Sequence, residues 1–202
     1  MTAARPDYGW LSEESVDDLK RLDHRVLFIV DPIDGTVAFL KGRPHFTICA
    51  AVVEDGVPVA GVVYNPMLDH LYKSRAGAGA SRNGETIHVS ACHGLTGCAM
   101  LGDRGMLTAP PWPQMRVETR NSVAYRVALV ADGSFDATLS LSAKRDWDLA
   151  AADIIVREAG GRITDRHGAP LRYNGPEARQ STMIAAGASL HDEILSKIGR
   201  AA

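Results

Sequence analysis

The sequence predicts a mixed α/β (α+β) protein, with antiparallel strands in its first half and helices joining them in its second half. The stretch FTICAAVVEDGVPVAGVVY, residues 46–64, contains two apolar runs separated by Asp55-Gly56, a dipeptide that favours a hairpin turn. The stretch DWDLAAADIIVREAGG has apolar residues at helical spacing, with Asp146 as its candidate cap and Gly160 as its stop. Both lie in a chain of 202 residues that is 46% hydrophobic, enough for a sizeable core.

Three shorter signals complete the first half as an antiparallel meander. The run RVLFIV, residues 25–30, is apolar and β-branched, as in a strand buried on both faces, and it ends at Asp31. The stretch HLYKSR, residues 70–75, predicts a further strand. Asn83-Gly84 predicts a turn before another short strand over residues 87–90.

The second half follows a cluster of prolines. APPWP excludes regular structure around residues 110–113 and predicts a boundary there. This boundary divides the chain into a subdomain at residues 1–109 and a subdomain at residues 110–202, and we expect the two subdomains to pack as one unit. Beyond it, SVAYRVALVADG predicts a helix that ends near Gly133, and FDATLSL alternates as a strand does, although its period is ambiguous.

Composition and charge exclude several classes of partner. The net charge is −2 and no long run of like charge occurs, which is unlike proteins that bind nucleic-acid polymers. Cys49, Cys92 and Cys98 are odd in number and lack metal-ligand spacing, so neither a disulfide framework nor a structural zinc site is indicated. No apolar stretch suits a membrane span or a signal peptide, and the sequence therefore predicts a cytoplasmic protein with no membrane partner.

Two aspartates follow the first strand in the motif DPIDGT. Asp31 would lie at the sheet edge with Asp34 folded back toward it, and converging carboxylates favour Mg²⁺ or Mn²⁺ between them. The Ile33 carbonyl is a further candidate ligand, Gly35 lets the backbone approach a ligand, and a helix starting at Thr36 would favour a phosphate. The alternative is that both aspartates only cap a turn.

Further acidic residues stand in two other motifs. Glu13 and Glu14 lie in WLSEES, and Asp148 lies in DWDLAAAD. Taken singly, each motif is more typical of a helix start, where acids cap the first turn or complement the helix dipole.

Together and in this order, the three motifs resemble those of the inositol monophosphatase superfamily of Mg²⁺-dependent, lithium-sensitive phosphatases. The superfamily pattern is a Glu-Glu pair, then Asp-Pro-(Ile/Leu)-Asp-Gly-Thr, then Trp-Asp before an Ala-rich helix that ends in Gly-Gly. The similarity runs from about Trp10 to the C-terminal region and includes GVVYNP, GAGASRNG and VALVADG. Because three motifs coincide, the resemblance is far more specific than any single motif.

The resemblance implies a role for each motif residue. The implied metal ligands are Glu13, Asp31, the Ile33 carbonyl, Asp34 and Asp148. Glu14 would support these ligands from nearby. They would hold two or three Mg²⁺ ions, for which Mn²⁺ can substitute. Thr36 resembles the residue that orients the attacking water, so the implied catalytic residues are Glu13, Asp34 and Thr36. The implied substrate-binding residues are Gly35, Thr36, Ser122 and Asp148, although a helix cap explains Ser122 equally well.

The resemblance also implies a fold and an activity. Helix and sheet layers would alternate, with an antiparallel N-terminal sheet that binds metal, a smaller mixed C-terminal sheet with helices, and the active site between them. The implied enzyme is a phosphoric monoester hydrolase that uses metal-activated water and no covalent intermediate. Relatives commonly form homodimers, so a homodimer is expected.

Within the superfamily, the stretch from SEES to DHLY looks most like bacterial 3′(2′),5′-bisphosphate nucleotidases, which implies 3′-phosphoadenosine 5′-phosphate as the substrate. Inositol monophosphatases carry a glutamate six residues before the Trp-Asp tryptophan, where this chain has Leu141. Val37-Ala38 departs from both subgroups, so an inositol or sugar phosphate stays the alternative. Four basic residues are candidates for a second phosphate or for solvated surface charge: Lys41, Arg43, Lys144 and Arg145.

Full-length relatives begin with a helical pair before the Glu-Glu motif, where this chain has only MTAARPDYG before Trp10. We therefore expect one helical layer to be absent, with the acidic residue that it supplies for water activation, for which Asp7 is a remote substitute. Its absence would expose an apolar surface. A different functional class then stays open, namely a catalytically weak protein that binds metal or phosphorylated ligands.

Overall fold

The computed structural model describes residue 1 and residues 3–199. Within these residues the strands are β1 (Gly9–Ser12), β2 (Val26–Asp34), β3 (Thr47–Glu54), β4 (Val57–Asn65), β5 (His70–Arg75), β6 (Ala80–Arg82), β7 (Glu85–Thr86), β8 (Ala99–Leu101), β9 (Arg116–Glu118), β10 (Ala137–Ser140), β11 (Lys144–Arg145), β12 (Arg162–Thr164), β13 (Arg179–Gln180) and β14 (Met183–Ala186). The helices are α1 (Thr36–Leu40), α2 (Arg104–Leu107), α3 (Val123–Ala131), α4 (Asp146–Glu158) and α5 (Ala188–Gly199). Among the described helices, none has both the length and the hydropathy to cross a membrane.

The first sheet contains β1 to β7 in sequence order. β1 runs parallel to β2, and every later neighbouring pair is antiparallel. β3 and β4 form the predicted hairpin, in which Asp55 and Gly56 both have positive φ, 50° and 75°. The predicted strand over residues 87–90 is wrong, because the chain leaves the sheet after β7 and the Val89 N–H donates instead to the Ala159 carbonyl at 3.1 Å.

Helices α3 and α4 cover one face of the first sheet. α3 ends before Gly133, whose φ is 73°, and α4 ends before Gly160, whose φ is 87°. Both helix ends were predicted from these glycines, which adopt a left-handed backbone more easily than other residues do.

The predicted cap of α4 is wrong. Its N-cap is Arg145, and Asp146 is the first helical residue. The Asp146 carboxylate, which is fully buried, accepts hydrogen bonds from the Asn174 N–H at 2.8 Å and from Gln180 Nε2 at 2.7 Å. Asp146 therefore joins the start of α4 to the segment at residues 174–180, a long-range role that sequence spacing alone does not show.

Arg21 extends this connection to the N-terminal segment. It is 2% exposed and forms an ion pair with Asp17 at 2.8 Å. Its guanidinium also donates to Asn174 Oδ1 at 2.7 Å and to the carbonyls of residues 175 and 176. Because Asn174 bonds to Asp146, the segment before β2 is tied to the first turn of α4.

Helix α4 packs closely against the sheet at Gly61 on β4. A Cβ at this position would lie 2.4 Å from the Ala151 carbonyl oxygen and 2.7 Å from Ile154 Cγ2. The helix backbone therefore rests directly on β4 only because residue 61 has no side chain. This contact fixes the height of α4 above the strands that it crosses, β2 to β5.

The second sheet has the order β12-β14-β10-β8-β9 among the described residues. β10 and β12 run antiparallel to β14, whereas β8 is parallel to β10 and β9, so the expected smaller mixed sheet is confirmed. α3 lies on one face, and buried residues of α5 cover the other face. Because both faces are covered, β10 is buried along its whole length and does not show the alternation predicted from FDATLSL.

The second sheet begins at β8, which lies before the proposed division at residue 109. β11 and β13 form a separate ladder, in which Arg145 lies opposite Arg179. The layers therefore alternate as sheet, helices, sheet, helix, while the division into 1–109 and 110–202 stays a prediction.

The face of the first sheet that points away from α4 carries exposed apolar side chains. Ile48, Val62 and Leu71, on the adjacent strands β3, β4 and β5, are 44%, 39% and 36% exposed. An exposed apolar surface is thus present on the described residues, as expected.

Candidate metal centre

Three aspartates meet where β2 ends and α4 begins. Asp31 and Asp34 lie at the C-terminal end of β2, where the strand pairing is irregular, and Asp148 lies in the first turn of α4. One carboxylate oxygen from each residue lies within 4.8 Å of the other two. Asp31 and Asp34 are buried, at 1% and 6% exposure, and Asp148 is half-buried. The structure thus brings together three of the predicted ligand side chains.

The start of α3 fixes Asp34. Asp34 Oδ2 accepts hydrogen bonds from Ser122 Oγ at 2.6 Å and from the Ala124 N–H at 2.7 Å, and Oδ1 accepts from the Val123 N–H at 3.3 Å. Ser122 Oγ also accepts from the Tyr125 N–H at 2.9 Å, so Ser122 is the N-cap of α3 and is fully buried. The cap that the sequence offered as an alternative is therefore present, and a substrate contact by Ser122 stays a prediction.

The DPIDGT backbone folds around Asp31. Asp31 Oδ1 accepts from the Ile33 N–H at 2.9 Å, and Thr36 Oγ1 donates to the Ile33 carbonyl at 3.3 Å. The short helix α1 begins at Thr36, as predicted. Gly35 has φ 93°, and a Cβ there would lie 2.9 Å from the His45 carbonyl oxygen, so conformation and space both require glycine.

Glu13 and Glu14 follow β1 and are exposed. Glu13 lies outside the three-aspartate cluster of the described residues. Asp148 Oδ2 accepts from the Arg145 N–H at 2.9 Å. Burial raises the pKa of Asp148, this hydrogen bond lowers it, and the charge of Glu13 raises it further.

The cluster disfavours its own ionised state. Burial, and then the charge of Asp34, raises the pKa of Asp31 to about 8. Burial, and then the charge of Asp148, raises the pKa of Asp34 to about 7, although hydrogen bonds from Ser122 and α3 act in the opposite direction. Carboxylates that are buried together in this way are stabilised by a cation between them.

The donor set fits a hard divalent cation. All three side chains offer carboxylate oxygen, which suits Mg²⁺ and Mn²⁺, whereas zinc prefers nitrogen and sulfur ligands. In the described part of the chain no histidine or cysteine belongs to the cluster. A cation bound there would also offset the burial and the repulsion that raise the three pKa values.

Two adjoining cavities open beside the cluster. The first, of about 430 Å³, is lined by Asn121, Val123, Arg126, Ala143, Lys144, Arg145, Asp148 and Arg179. The second, of about 380 Å³, shares Arg126 and Lys144 and also includes Leu141. Lys41 and Arg43 are exposed and line neither cavity. Sequence reasoning missed Arg126, although it is the single basic residue in the predicted helix SVAYRVALVADG.

Comparison with known proteins agrees with this geometry. Residues 1–201 match the sequence profile of the inositol monophosphatase family. The chain belongs to the inositol monophosphatase family. Members of this family are Mg²⁺-dependent phosphatases, and the three-aspartate cluster of this family member has the oxygen donors that such an activity needs.

Relatives of this chain are named for different activities. The inositol-1-monophosphatase of Rhizobium meliloti (strain 1021) is 36% identical over 183 residues, which cover 83% of this chain and 67% of that protein. The 3′(2′),5′-bisphosphate nucleotidase CysQ of Aggregatibacter actinomycetemcomitans is 31% identical over 191 residues, covering 88% and 71%. The structure of the inositol monophosphatase from Anabaena (Nostoc) sp. PCC 7120 matches with a TM-score of 0.84 at 28% identity, covering 98% of this chain and 81% of that one. The predicted layered phosphatase fold is therefore confirmed.

Proposed function

We propose that this chain is a Mg²⁺-dependent phosphomonoesterase for a small phosphorylated metabolite, and that the metabolite is 3′-phosphoadenosine 5′-phosphate. The observation that carries the proposal is the buried cluster of Asp31, Asp34 and Asp148 beside a cavity lined by cations. The aspartates at one end of this cavity would hold the metal ions, and the basic side chains at its other end would attract an anionic substrate. Leu141 in the adjoining wall cannot accept hydrogen bonds from a polyol, which favours the nucleotide.

Each motif residue has a proposed role in hydrolysis. When bound, Mg²⁺ supplies a Lewis acid that polarises the phosphoryl oxygens and activates water. Asp31, Asp34, Asp148, Glu13 and the Ile33 carbonyl would hold two or three ions, with Mn²⁺ as a substitute. The Thr36 hydroxyl donates to the Ile33 carbonyl and keeps lone pairs free, so it can accept a hydrogen bond from the attacking water. Gly35 and Thr36 would adjoin the phosphate, and Ser122 would keep Asp34 oriented.

Inositol 1-phosphate is the second candidate substrate. A relative named inositol-1-monophosphatase is 36% identical to this chain, which supports this alternative. Ser140 and Ser142 in the cavity wall offer hydroxyl groups that could bind a polyol in place of a carboxylate.

Phosphate release tests the proposal directly. The rate is measured for 3′-phosphoadenosine 5′-phosphate and inositol 1-phosphate with Mg²⁺, with EDTA, and with Mg²⁺ plus lithium. We expect Mg²⁺-dependent, lithium-inhibited release that is faster from the nucleotide. Faster release from inositol 1-phosphate would favour the alternative substrate. No release from either, with a melting temperature still raised by Mg²⁺, would indicate a weak enzyme that binds metal.

We also propose a cytoplasmic location and a homodimer. Cys49, Cys92 and Cys98 are all free thiols, which fits a reducing compartment. Sedimentation velocity would test the homodimer, and a monomer at all concentrations would contradict it.

A further inference from the structure

The first sheet has an outer face, which points away from α4. Gly61 packs against α4, so the alternation of a strand directs its neighbours Ala60 and Val62 to the outer face. Side chains of residues that pair directly across the ladders share one face of a sheet. The pairing of β1 to β5 therefore defines two rows of outer-face residues, one through Ala60 and one through Val62.

The row through Ala60 is uneven in the size of its side chains. From β1 to β5 it contains Trp10, Phe28, Val52, Ala60 and Arg75. Large aromatic rings thus lie on β1 and β2, whereas β4 has only a methyl group at this level of the sheet.

The row through Val62 is apolar in its centre and polar at its two ends. From β1 to β5 it contains Ser12, Val30, Ala50, Val62 and Lys73. The three central side chains are half-buried or exposed. Because the centres of both rows are apolar, a continuous apolar surface crosses β2, β3 and β4.

The aromatic side of the outer face is raised, and the opposite side is hollow. Tyr8 packs on Phe28 with ring centres 5.2 Å apart, and the Arg5 guanidinium lies 3.9 Å from the centre of the Tyr8 ring. A cavity of about 390 Å³ lies on the β4–β5 side, where Ala60 and Arg75 belong to its wall. Since the protrusion and the cavity belong to one rigid sheet, they can fill each other only when a second copy faces the first.

A two-fold axis parallel to β3 would bring the protrusion and the cavity together. This axis places β2 of one copy over β4 of the other, and β1 over β5. Phe28 and Tyr8 would then lie over Ala60 of the second copy. Trp10 would lie over Arg75 of the second copy, where a guanidinium is attracted to an indole ring. An axis perpendicular to the strands would instead oppose Arg75 to the same residue of the second copy.

Charged residues at the two sides of the outer face are complementary under the same axis. Lys73 and Arg75 on β5 are exposed, as is Glu14 just after β1, and within the described residues none of the three forms an ion pair. Placing β1 of one copy over β5 of the other brings Glu14 toward Lys73. Opposite charges that approach in this way favour one orientation of the two copies.

The outer face is large enough for a stable interface. Five strands span about 24 Å across the sheet and about 20 to 30 Å along it, which is an area of about 500 to 700 Å². A typical interface buries about 800 Å² on each partner. A soluble monomer rarely exposes a continuous apolar surface of more than a few hundred Å².

We propose that the outer face is the interface of a homodimer, in which a second copy of this chain packs sheet on sheet about a two-fold axis parallel to β3. The proposal rests on the homodimer proposed above, and it adds the surface and the symmetry. Sheets packed in this aligned manner lie about 10 Å apart, with strand directions within about 30°. Asp31 and the rest of the aspartate cluster lie on the α4 side of the sheet, so both metal centres stay outside the interface.

Sedimentation velocity over about 1 to 100 μM protein measures the dissociation constant of the dimer, which we expect to be about 1 μM or lower. Val62→Lys places a charge in the apolar centre of the interface, twice by symmetry, and should raise the dissociation constant by about 100-fold. Ala60→Trp fills the cavity and should raise it by about 10- to 100-fold. Ser196→Lys adds the same charge on the exposed side of α5, and this control should keep the wild-type value.

A charge reversal tests the orientation of the two copies. Lys73→Glu should raise the dissociation constant by about 10-fold, because the new carboxylate repels Glu14 of the second copy. Adding Glu14→Lys to this variant should restore the wild-type value. Lys73 is exposed, so Lys73→Glu also serves as the second test of the interface should Val62→Lys fold poorly.

Three outcomes would overturn the proposal at different levels. A wild type that stays monomeric at 100 μM would overturn the homodimer and would leave the outer face to a different partner. A dimer with the same dissociation constant in Val62→Lys and Ala60→Trp would overturn the interface alone, because the copies would then associate through another surface. Failure of Glu14→Lys to restore association would overturn the axis parallel to β3. Association needs no substrate, so failure of the phosphomonoesterase proposal leaves all three outcomes unchanged.

Discussion

Replacing Asp31 with asparagine should stabilise the metal-free protein while abolishing its response to Mg²⁺. The Asp31→Asn side chain keeps an oxygen that can accept the Ile33 N–H, so the one hydrogen bond of Asp31 is conserved. What is lost is a charge whose oxygen lies within 4.8 Å of those of Asp34 and Asp148. At that distance, two unit charges repel by about 3.5 kcal/mol with an effective dielectric constant of about 20.

The expected gain in the free energy of unfolding is smaller than the sum of two such repulsions. The pKa of Asp31 is raised to about 8 and that of Asp34 to about 7, so the cluster is partly protonated near neutral pH. We therefore expect the free energy of unfolding in EDTA at pH 8 to rise by about 2 to 4 kcal/mol. For a chain of this size that is a rise in Tm of about 5 to 15 °C.

The pH dependence has a definite sign. Both pKa values in the folded state lie above the ordinary aspartate value of 3.8. Between about pH 4 and 8 the folded chain thus binds more protons than the unfolded chain, and the metal-free wild type loses stability as pH rises through this window. The Asp31→Asn variant should lose less stability over this window, because it lacks one of the two titrating carboxyls. The difference in Tm between the two proteins should therefore grow from pH 5 to pH 8.

Thermal unfolding in EDTA and in Mg²⁺ measures these effects. Mg²⁺ should raise the Tm of the wild type and leave that of Asp31→Asn nearly unchanged, and Mg²⁺-dependent turnover should be lost. Asp192→Asn, which removes an exposed carboxylate paired with Arg162, should behave as the wild type within about 0.5 kcal/mol. The reasoning is refuted if Asp31→Asn is no more stable than the wild type at pH 8 in EDTA, or if it keeps full turnover.

Three further substitutions test the packing around the cluster. Gly61→Ala should cost about 1 to 3 kcal/mol in urea unfolding and lower kcat, because α4 must move away from β4; Gly175→Ala, where a Cβ has open space, should change neither. Ser122→Ala should cost about 1 to 3 kcal/mol by loss of the cap and of the bond to Asp34, with kcat lowered; a rise in KM alone would instead indicate a substrate contact. Arg21→Ala removes the hydrogen bonds to Asn174 and to the carbonyls of residues 175 and 176 and should cost about 1 to 3 kcal/mol, so an unchanged urea midpoint would contradict its bracing role.

Local signals in the sequence predicted much of the fold. The Asp55-Gly56 turn, the helix ended by Gly160 and the bend at DPIDGT depend on residues that lie next to each other, and the structure has all three. Asp31 and Asp34 could be placed together for the same reason, since three positions separate them on one strand end. Asp148 joined them only through the resemblance of the combined motifs to a known family.

Contacts between distant segments could not be predicted from one sequence. β8 enters the second sheet by pairing with β10 and β9, and nothing near residues 99–101 identifies these partners. Asp146 was expected to be a helix cap because it stands at a helix start, yet its partners Asn174 and Gln180 lie far along the chain. Arg126 is the single charged residue of α3, but its position in the sequence does not show that it lines a cavity.

The two hydrophobic cores of this protein differ in their value to protein engineering. One core lies between the first sheet and helices α3 and α4, and the three aspartates are carried by β2 of that sheet and by α4. The other lies beneath α5, around Leu190, Ile194 and Ile198. In the described residues α5 contributes nothing to the cluster or to the two cavities beside it. Substitutions beneath α5 can therefore change thermostability without moving the aspartates, whereas redesign beneath α4 changes stability and ligand geometry together.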